Sequence, residues 1–266
     1  MNERNILLSG ANGGIGKAIL KELIDAQYNV FALDIFDNNI KDLKCHFIRC
    51  DVTNKEDLTN AYTKINSFTD NLYAIINTVG IFKMESIIEG SEDDFHKILN
   101  INFFGIYSLN KIMFPLLKDN SRIINLTSEL VRYSPQPFQG YYNLSKIILD
   151  SYSDVLRREA NYLSIKVIKL QSGSMKTGML NKASNEYDAM VNESKHFKKP
   201  LTKLKYMMDR EIKKQNDPSI ISHKIIKILQ KKKPKMVYRI KNSPLLFIMG
   251  HLPEKLQDKI YKRVIK

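Results

Sequence analysis

Tyr142 and Lys146, in the stretch Gly140-Tyr141-Tyr142-Asn143-Leu144-Ser145-Lys146, are the residues best suited by type and spacing to move a proton. In a helix they lie four apart on one face, one turn from each other. A phenol with an ordinary pKa of about 10 is a poor proton carrier at neutral pH. An ammonium held beside it favours the phenolate and brings the group toward the range where general acid–base catalysis is efficient. Ser128 closes the apolar run Ile123-Ile124-Asn125-Leu126-Thr127, where its hydroxyl can orient a substrate oxygen. Tyr141 is the competing phenol, but only Tyr142 stands four residues before Lys146.

Such groups need a rigid frame, and the N-terminal third supplies its outline. Asn5–Ser9 reads as a buried strand that runs straight into Gly10-Ala11-Asn12-Gly13-Gly14-Ile15-Gly16. Over 17–27, Ala18, Ile19, Leu23 and Ile24 recur at helical spacing. In a strand, glycine-rich turn and helix, the N–H groups of the helix start meet a phosphate, and glycine lets the backbone come close to it. The next strand, 29–33, ends in Asp34, eighteen residues past Gly16. An acid there hydrogen-bonds the adenosine ribose hydroxyls of a dinucleotide and repels a 2′-phosphate. Position 13, which could carry a basic residue to hold such a phosphate, is Gly. Both features favour NAD over NADP.

The remaining pattern alternates in the same way. Strands are predicted at 46–49, 72–76, 121–127, 165–170 and 236–240. Helices are predicted at 55–68, 91–100 with Ser91 as N-cap, from Asn100 to Leu117, at 142–162, and at 217–231 with Pro218 in the first position. A polar stretch with helical parts but no clear strand fills 174–216. Apolar strands alternating with helices imply an α/β fold of Rossmann type: a doubly wound parallel sheet with helices on both faces, forming a single domain over 1–242.

Composition sets the limits. With 266 residues, 43% of them hydrophobic, the chain can bury one large core. The N-terminus does not read as a signal peptide and no window approaches a membrane span, so a cytoplasmic protein is expected. Cys45 and Cys50 have no partners at metal spacing and read as reduced thiols; no metal is expected. The net charge of +14 is uneven: residues 1–194 carry 21 basic and 23 acidic residues, residues 195–266 carry 21 and 5. A basic end can serve nucleic acid, an anionic membrane or solubility. Without an aromatic-interleaved groove or a nucleic-acid motif, no nucleic acid is expected.

These signals, in this order, resemble the short-chain dehydrogenase/reductase family in its typical shorter form, over roughly residues 5–240. Gly10-x-x-x-Gly14-x-Gly16 matches its glycine motif, with Ser9 where Thr is usual. Asn77-Thr78-Val79-Gly80 keeps the ends of its Asn-Asn-Ala-Gly motif. Asn102-x-x-Gly105, Ser128 and Tyr142-x-x-x-Lys146 match its asparagine, serine and tyrosine–lysine motifs, and Asp51-Val52 its adenine pair. The resemblance implies that Tyr142 exchanges the proton, Ser128 stabilises the substrate oxygen, Lys146 binds the nicotinamide ribose and lowers the Tyr142 pKa, and Asn102 anchors a relay water. It assigns the cofactor to Gly10, Asn12, Gly14, Ile15, Gly16, Asp34, Asp51, Val52, Asn77, Gly80, Tyr142, Lys146, Gly173 and Thr177. Two departures stand out: Ser128 and Tyr142 are one residue further apart than the family's spacing, and Ser172 replaces the Pro before Gly173.

In a sheet of this kind the loops after the strand ends choose the substrate, here 81–90, 129–140 and 174–216. They carry Ile81, Phe82, Met84, Ile87, Ile88, Phe138, Met175, Met179, Leu180 and Met190, a set suited to an apolar alcohol or carbonyl of steroid, retinoid or fatty type. In the tail, 243–266, Leu256, Ile260 and Val264 recur among lysines as a basic amphipathic helix. It either rests on an anionic membrane surface or packs on the domain or a neighbouring subunit. The tail also resembles the extension of hydroxysteroid- and retinol-type family members. Homodimers or homotetramers are expected through the long helices at 103–117 and 142–162. The competing functional class is a catalytically silent nucleotide-sensing or scaffold protein on the same fold.

Overall fold

Along each strand, alternate side chains divide between two apolar cores, the period-two signature of a sheet covered on both faces. The computed structural model describes residues 4–133, 135–212 and 215–265, with backbone alone for 180–186, 207–212 and 265. The strands β1 (Asn5–Ser9), β2 (Asn29–Asp34), β3 (His46–Arg49), β4 (Leu72–Asn77), β5 (Leu117–Ser128), β6 (Lys166–Ser172) and β7 (Val237–Ile240) form one sheet in the order β3-β2-β1-β4-β5-β6-β7. Every neighbouring pair is parallel. Around it lie α1 (Gly14–Asp25), α2 (Lys55–Asn66), α3 (Glu92–Leu99), α4 (Gly105–Met113), α5 (Gly140–Ala160), α6 (Gly178–Glu193), α7 (Lys198–Ile212), α8 (Ser219–Gln230), α9 (Pro244–Met249) and α10 (Glu254–Ile265).

Ile6, Leu8, Val30, Ala32, Ala74 and Ile76 face α1 and α8, where Ile19, Leu23, Ile221 and Ile225 close one core. Leu7, Phe31, Leu33, Ile75 and Ile123 face the other side, against Leu58 and Ile65 of α2 and Leu109 and Met113 of α4. Each fully buried aliphatic side chain of this kind contributes roughly 2 kcal/mol. The result is the doubly wound parallel sheet expected from the sequence, as a single domain.

The differences from expectation are local. α1 starts at Gly14 rather than 17, because glycines carry no side chain to show a period. The helix expected to reach Leu117 stops at Met113; Pro115, without an N–H for the ladder, sits in a 3-10 turn and β5 begins at Leu117. α3 and α4 are joined through a π-helical turn, Asn100–Phe104. Pro218 is the N-cap of α8, not its first residue. In the tail, α10 lies against α7 and buries Gln257, while Leu256 and Val264 of the expected stripe stay exposed.

Two polar devices fix the helix that carries Tyr142 and Lys146. Lys169 Nζ on β6 donates to Asp150 Oδ2 (2.6 Å) and Asp154 Oδ2 (2.7 Å) of α5, while Asp150 Oδ1 accepts from Thr127 Oγ1 (3.1 Å) and Gln171 Nε2 (3.0 Å). Deeper, Asn125 Nδ2 donates to Ser153 Oγ of α5 at 2.8 Å. α5 is thereby held to β5 and β6 one turn past Lys146.

Candidate active site

β1 is flanked by β2 on one side and β4 on the other, and the connections leave in opposite directions. A crevice opens outside the carboxyl ends of the strands at such a switch point. Here it is a cleft of about 1520 Å³, larger than the 300–1,000 Å³ typical of a single small ligand.

One end is built from the glycine turn. Gly10 has φ +75°, open to glycine at no steric cost, and a Cβ on Gly16 would stand 1.9 Å from the Gly10 carbonyl oxygen. No side chain caps α1 at Gly13, and Gly13, Gly14, Ile15 and Gly16 all line the cleft. A helix start of this kind, bare of side chains and facing a cavity, fits a pyrophosphate. Gly14 abuts Thr177 across the cleft. Asp34 Oδ2 accepts from Asn12 N (2.9 Å) and Oδ1 from Ile35 N (2.8 Å), which sets the carboxylate at the rim where a ribose would lie. Asn12 also clamps the following loop: its Nδ2 donates to Asn38 Oδ1 (2.9 Å) and its Oδ1 accepts from Asn39 N (2.8 Å). Asp51 and Val52 complete this end, beside Cys50, whose thiol is pushed up to about 12 chiefly by burial.

In the middle stand Gly80, Ser128, Tyr142, Lys146 and Gly173. Tyr142 keeps part of its surface open to the cleft, although protein packs densely around the rest, and Phe82 meets its ring edge-on with centroids 4.9 Å apart. Burial pushes the Tyr142 phenol up to about 12; the hydrogen bond with Ser128 works in the opposite direction, and the Glu129 carboxylate adds to the rise. Burial likewise pushes the Lys146 ammonium down to about 8. Lys146 Nζ donates to Leu126 O at 3.3 Å and lies 5.8 Å from the Tyr142 ring centroid. In this arrangement burial dominates the Tyr142 shift and Lys146 is not among its causes, so the phenol is protonated at neutral pH.

Two predicted site residues lie outside the cleft lining. Asn77 is fully buried: its Oδ1 accepts from Ser9 Oγ (3.0 Å), and its Nδ2 donates to Asn110 Oδ1 (2.9 Å) and Asn125 Oδ1 (2.8 Å). It ties β1, β4, α4 and β5 together. Asn102, in the π-helical turn, is also fully buried. Its Oδ1 accepts from Ile81 N (2.8 Å), and its Nδ2 donates to Ile81 O (2.9 Å) and Ser145 Oγ (3.0 Å), so its side-chain amide is spent on protein groups. A Cβ on Gly80 would come within 3.3 Å of both Asn102 Oδ1 and Lys146 Nζ, which places Asn102 directly behind the site.

Of the apolar candidates, Ile81, Phe82, Met84, Met175 and Met179 line the cleft. Met190 and Phe138 pack in a small core with Met84 and Phe82, Ile87 and Ile88 face solvent, and the Leu180 side chain lies outside the described residues. Sequence reasoning missed Glu129 and the segment 241–246. Both line the cleft, and Glu129 Oε2 accepts from Ser243 N, the N-cap of α9. Residues on both sides of position 242, from Lys241 to Leu246, thus belong to the lining.

A parallel sheet with a glycine-cradled anion site and a Ser–Tyr–Lys group in one crevice defines the class of nicotinamide-dinucleotide oxidoreductases. The family profile described as short chain dehydrogenase matches residues 4–188. The chain belongs to the short-chain dehydrogenase/reductase family, whose members are NAD(P)-binding oxidoreductases acting on CH–OH groups. It is 26% identical over 271 residues to a probable short-chain type dehydrogenase/reductase, VdlC, of Helicobacter pylori, covering 97% of each chain. It is 25% identical to the 3-ketodihydrosphingosine reductase of Bacteroides thetaiotaomicron (94% of this chain, 91% of that one) and 27% identical to estradiol 17-beta-dehydrogenase 2 of Mus musculus (76% and 56%). Among solved structures, the fold matches a family member from Burkholderia phymatum in complex with NAD at a TM-score of 0.77, with 14% identity over 97% of this chain and 95% of that one. A Burkholderia cenocepacia dehydrogenase in complex with NADP matches at 0.74, with 17% identity over 99% and 98%.

Proposed function

We propose that this chain is an NAD-dependent dehydrogenase or carbonyl reductase that interconverts an apolar alcohol and its ketone or aldehyde. The observation that carries this reading is the gathering of three groups in one cleft: the glycine turn with Asp34, the set Ser128, Tyr142 and Lys146, and the apolar Ile81, Phe82, Met84, Met175 and Met179. The glycine turn would hold the pyrophosphate, Asp34 the adenosine ribose and Lys146 the nicotinamide ribose. When bound, the nicotinamide supplies or takes up the hydride.

Tyr142, protonated at neutral pH, gives its proton to the oxygen of a carbonyl substrate and recovers it when an alcohol is oxidised. The Ser128 hydroxyl holds that oxygen and bonds with the phenol. Asn102 acts as a positioning residue: by fixing both backbone groups of Ile81 and the Ser145 hydroxyl, it holds the wall at residue 81 against α5. The two named relatives are a reductase of 3-ketodihydrosphingosine and a dehydrogenase of estradiol, which supports an apolar substrate. Self-association through α4 and α5 is supported by the exposed Phe104, Tyr107, Leu144, Ile148 and Val155.

Fluorescence titration with NADH and NADPH, followed by a panel of steroid, retinoid, fatty and sugar alcohols, tests the proposal. NADH is expected to bind at least about tenfold tighter, because Asp34 repels a 2′-phosphate, and Asp34→Ser should narrow the gap. Tighter NADPH binding, or turnover of sugars alone, would contradict it.

A further inference from the structure

The C-terminal quarter carries two surfaces that the proposed chemistry does not use. In α9, Leu245, Phe247 and Ile248 are 65%, 48% and 58% exposed, and with Pro244 they make one wholly apolar face at helical spacing. Leu246 and Met249 are the partly buried side of the same helix. Leu245 also lines the cleft, so this face forms part of the rim of its opening. A contiguous apolar face at a cavity mouth marks a contact surface. The α9 face stands free, and on α10, which packs on α7, Leu256 and Val264 are exposed as well, at 42% and 43%.

The second surface is charge. Leu204 of α7 lines the same cleft, and that helix carries the exposed Lys198, Lys199 and Lys203. α10, packed on α7, adds the exposed Lys255, Lys259, Lys262 and Arg263. The cleft is thus bordered by an apolar helix on one element and by a basic helix pair on another. A second copy of the chain could cover the apolar face, but it would bring the same positive charge with it. An anionic bilayer satisfies both surfaces: apolar side chains enter the headgroup boundary while lysines face the negative surface potential. Among the described residues no helix is long and apolar enough to cross a membrane, so the contact is peripheral.

We propose that α9 docks this protein on anionic lipid bilayers, with Phe247 and Ile248 inserted and the lysines of α7 and α10 on the headgroups. The rim of the substrate cleft is thereby held at the membrane surface. The docking depends on the proposed function only for its purpose, the delivery of an apolar substrate, and its test needs no turnover.

The test is flotation of the full chain with phosphatidylcholine vesicles, with and without phosphatidylglycerol, at low and high salt. Binding is expected to vesicles containing phosphatidylglycerol, to weaken with salt, and to fall by about tenfold or more in Phe247→Glu/Ile248→Glu. Neither residue lines the cleft, so NADH titration of that variant should match the wild type. If the variant fails to fold, Lys198→Glu/Lys199→Glu/Lys203→Glu decides, with a comparable loss expected. A wild-type chain that stays with the unbound fraction, or variants that float as the wild type does, would overturn the proposal. So would sedimentation velocity in which the α9 variant turns an oligomer into a monomer while no vesicle binding occurs. Loss of NADH binding by the wild type would strike the proposed activity and leave the docking result standing.

Discussion

At the scale of single residues, the site rests on two ionisable groups that burial moves in opposite directions. Tyr142 is raised to about 12 and Lys146 is lowered to about 8. For Lys146 the linkage has a definite sign. Between about 8 and its ordinary 10.5 the unfolded chain binds more protons than the folded one, so stability rises with pH across that window. Denaturant midpoints of the wild type should therefore climb from pH 8 to 10 relative to Lys146→Met, and that variant should be the more stable at pH 7. A wild-type curve parallel to the variant's would show that the ammonium is not buried as described. Glu129 acts on the other partner. Because its carboxylate raises the phenol, Glu129→Gln should move the alkaline limb of the reduction rate to lower pH, as read from a pH profile of NADH oxidation. Tyr142, Lys146 and Ser128 were legible in the sequence because residue type and a four-residue spacing report their chemistry directly. The direction of the Tyr142 shift was not, since it depends on packing by neighbours such as Phe82 and on the charge of Glu129, both brought in from other elements.

At the scale of elements, the strand-by-strand alternation of buried side chains was readable, and with it the sheet. Boundaries were lost where no side chain reports a period, as at Gly14, or where a proline interrupts a long apolar run, as at Pro115. Asn77 and Asn102 illustrate a deeper limit. An asparagine in a cofactor-like motif has the same sequence signal whether its amide faces a ligand or ties strands together, and only the partners at Ser9, Asn110, Asn125 and Ile81 decide. The ties that aim α5 are equally invisible, because Asp150 and Lys169 are nineteen residues apart and meet only where α5 packs on β6. Removing that lysine leaves two carboxylates facing each other, so Lys169→Ala should destabilise the fold by about 3 kcal/mol in urea titrations. It should also lower kcat more than it weakens NADH binding, because the tilt of α5 sets Tyr142. Unchanged kcat would mean that α5 is placed by its apolar contacts alone.

At the scale of the whole molecule, the C-terminal segment belongs to the cleft. Residues 241–246 line it, Ser243 N is held by Glu129, and α10 braces α7, whose Leu204 forms the facing wall. Truncation after Asn242 should therefore raise KM for an apolar alcohol by about tenfold or more while leaving NADH bound at the distant glycine turn. A truncated chain with the wild-type KM would show that the segment is no part of the substrate wall. The uneven charge of the sequence pointed to this region but not to its place, because charge counts carry no information about which cavity a tail borders.

The central claim is that Tyr142 carries the proton in a working oxidoreductase, and a catalytically silent nucleotide binder on the same fold is its direct competitor. Tyr142→Phe removes one oxygen atom and nothing else. The decisive measurement is the turnover rate of that variant with NAD and an accepted apolar alcohol, alongside its NADH affinity by fluorescence. The account predicts a loss of about a hundredfold or more in kcat with NADH affinity essentially retained. A variant that turns over at the wild-type rate, or a wild type that binds NADH and turns over none of the panel, would contradict it.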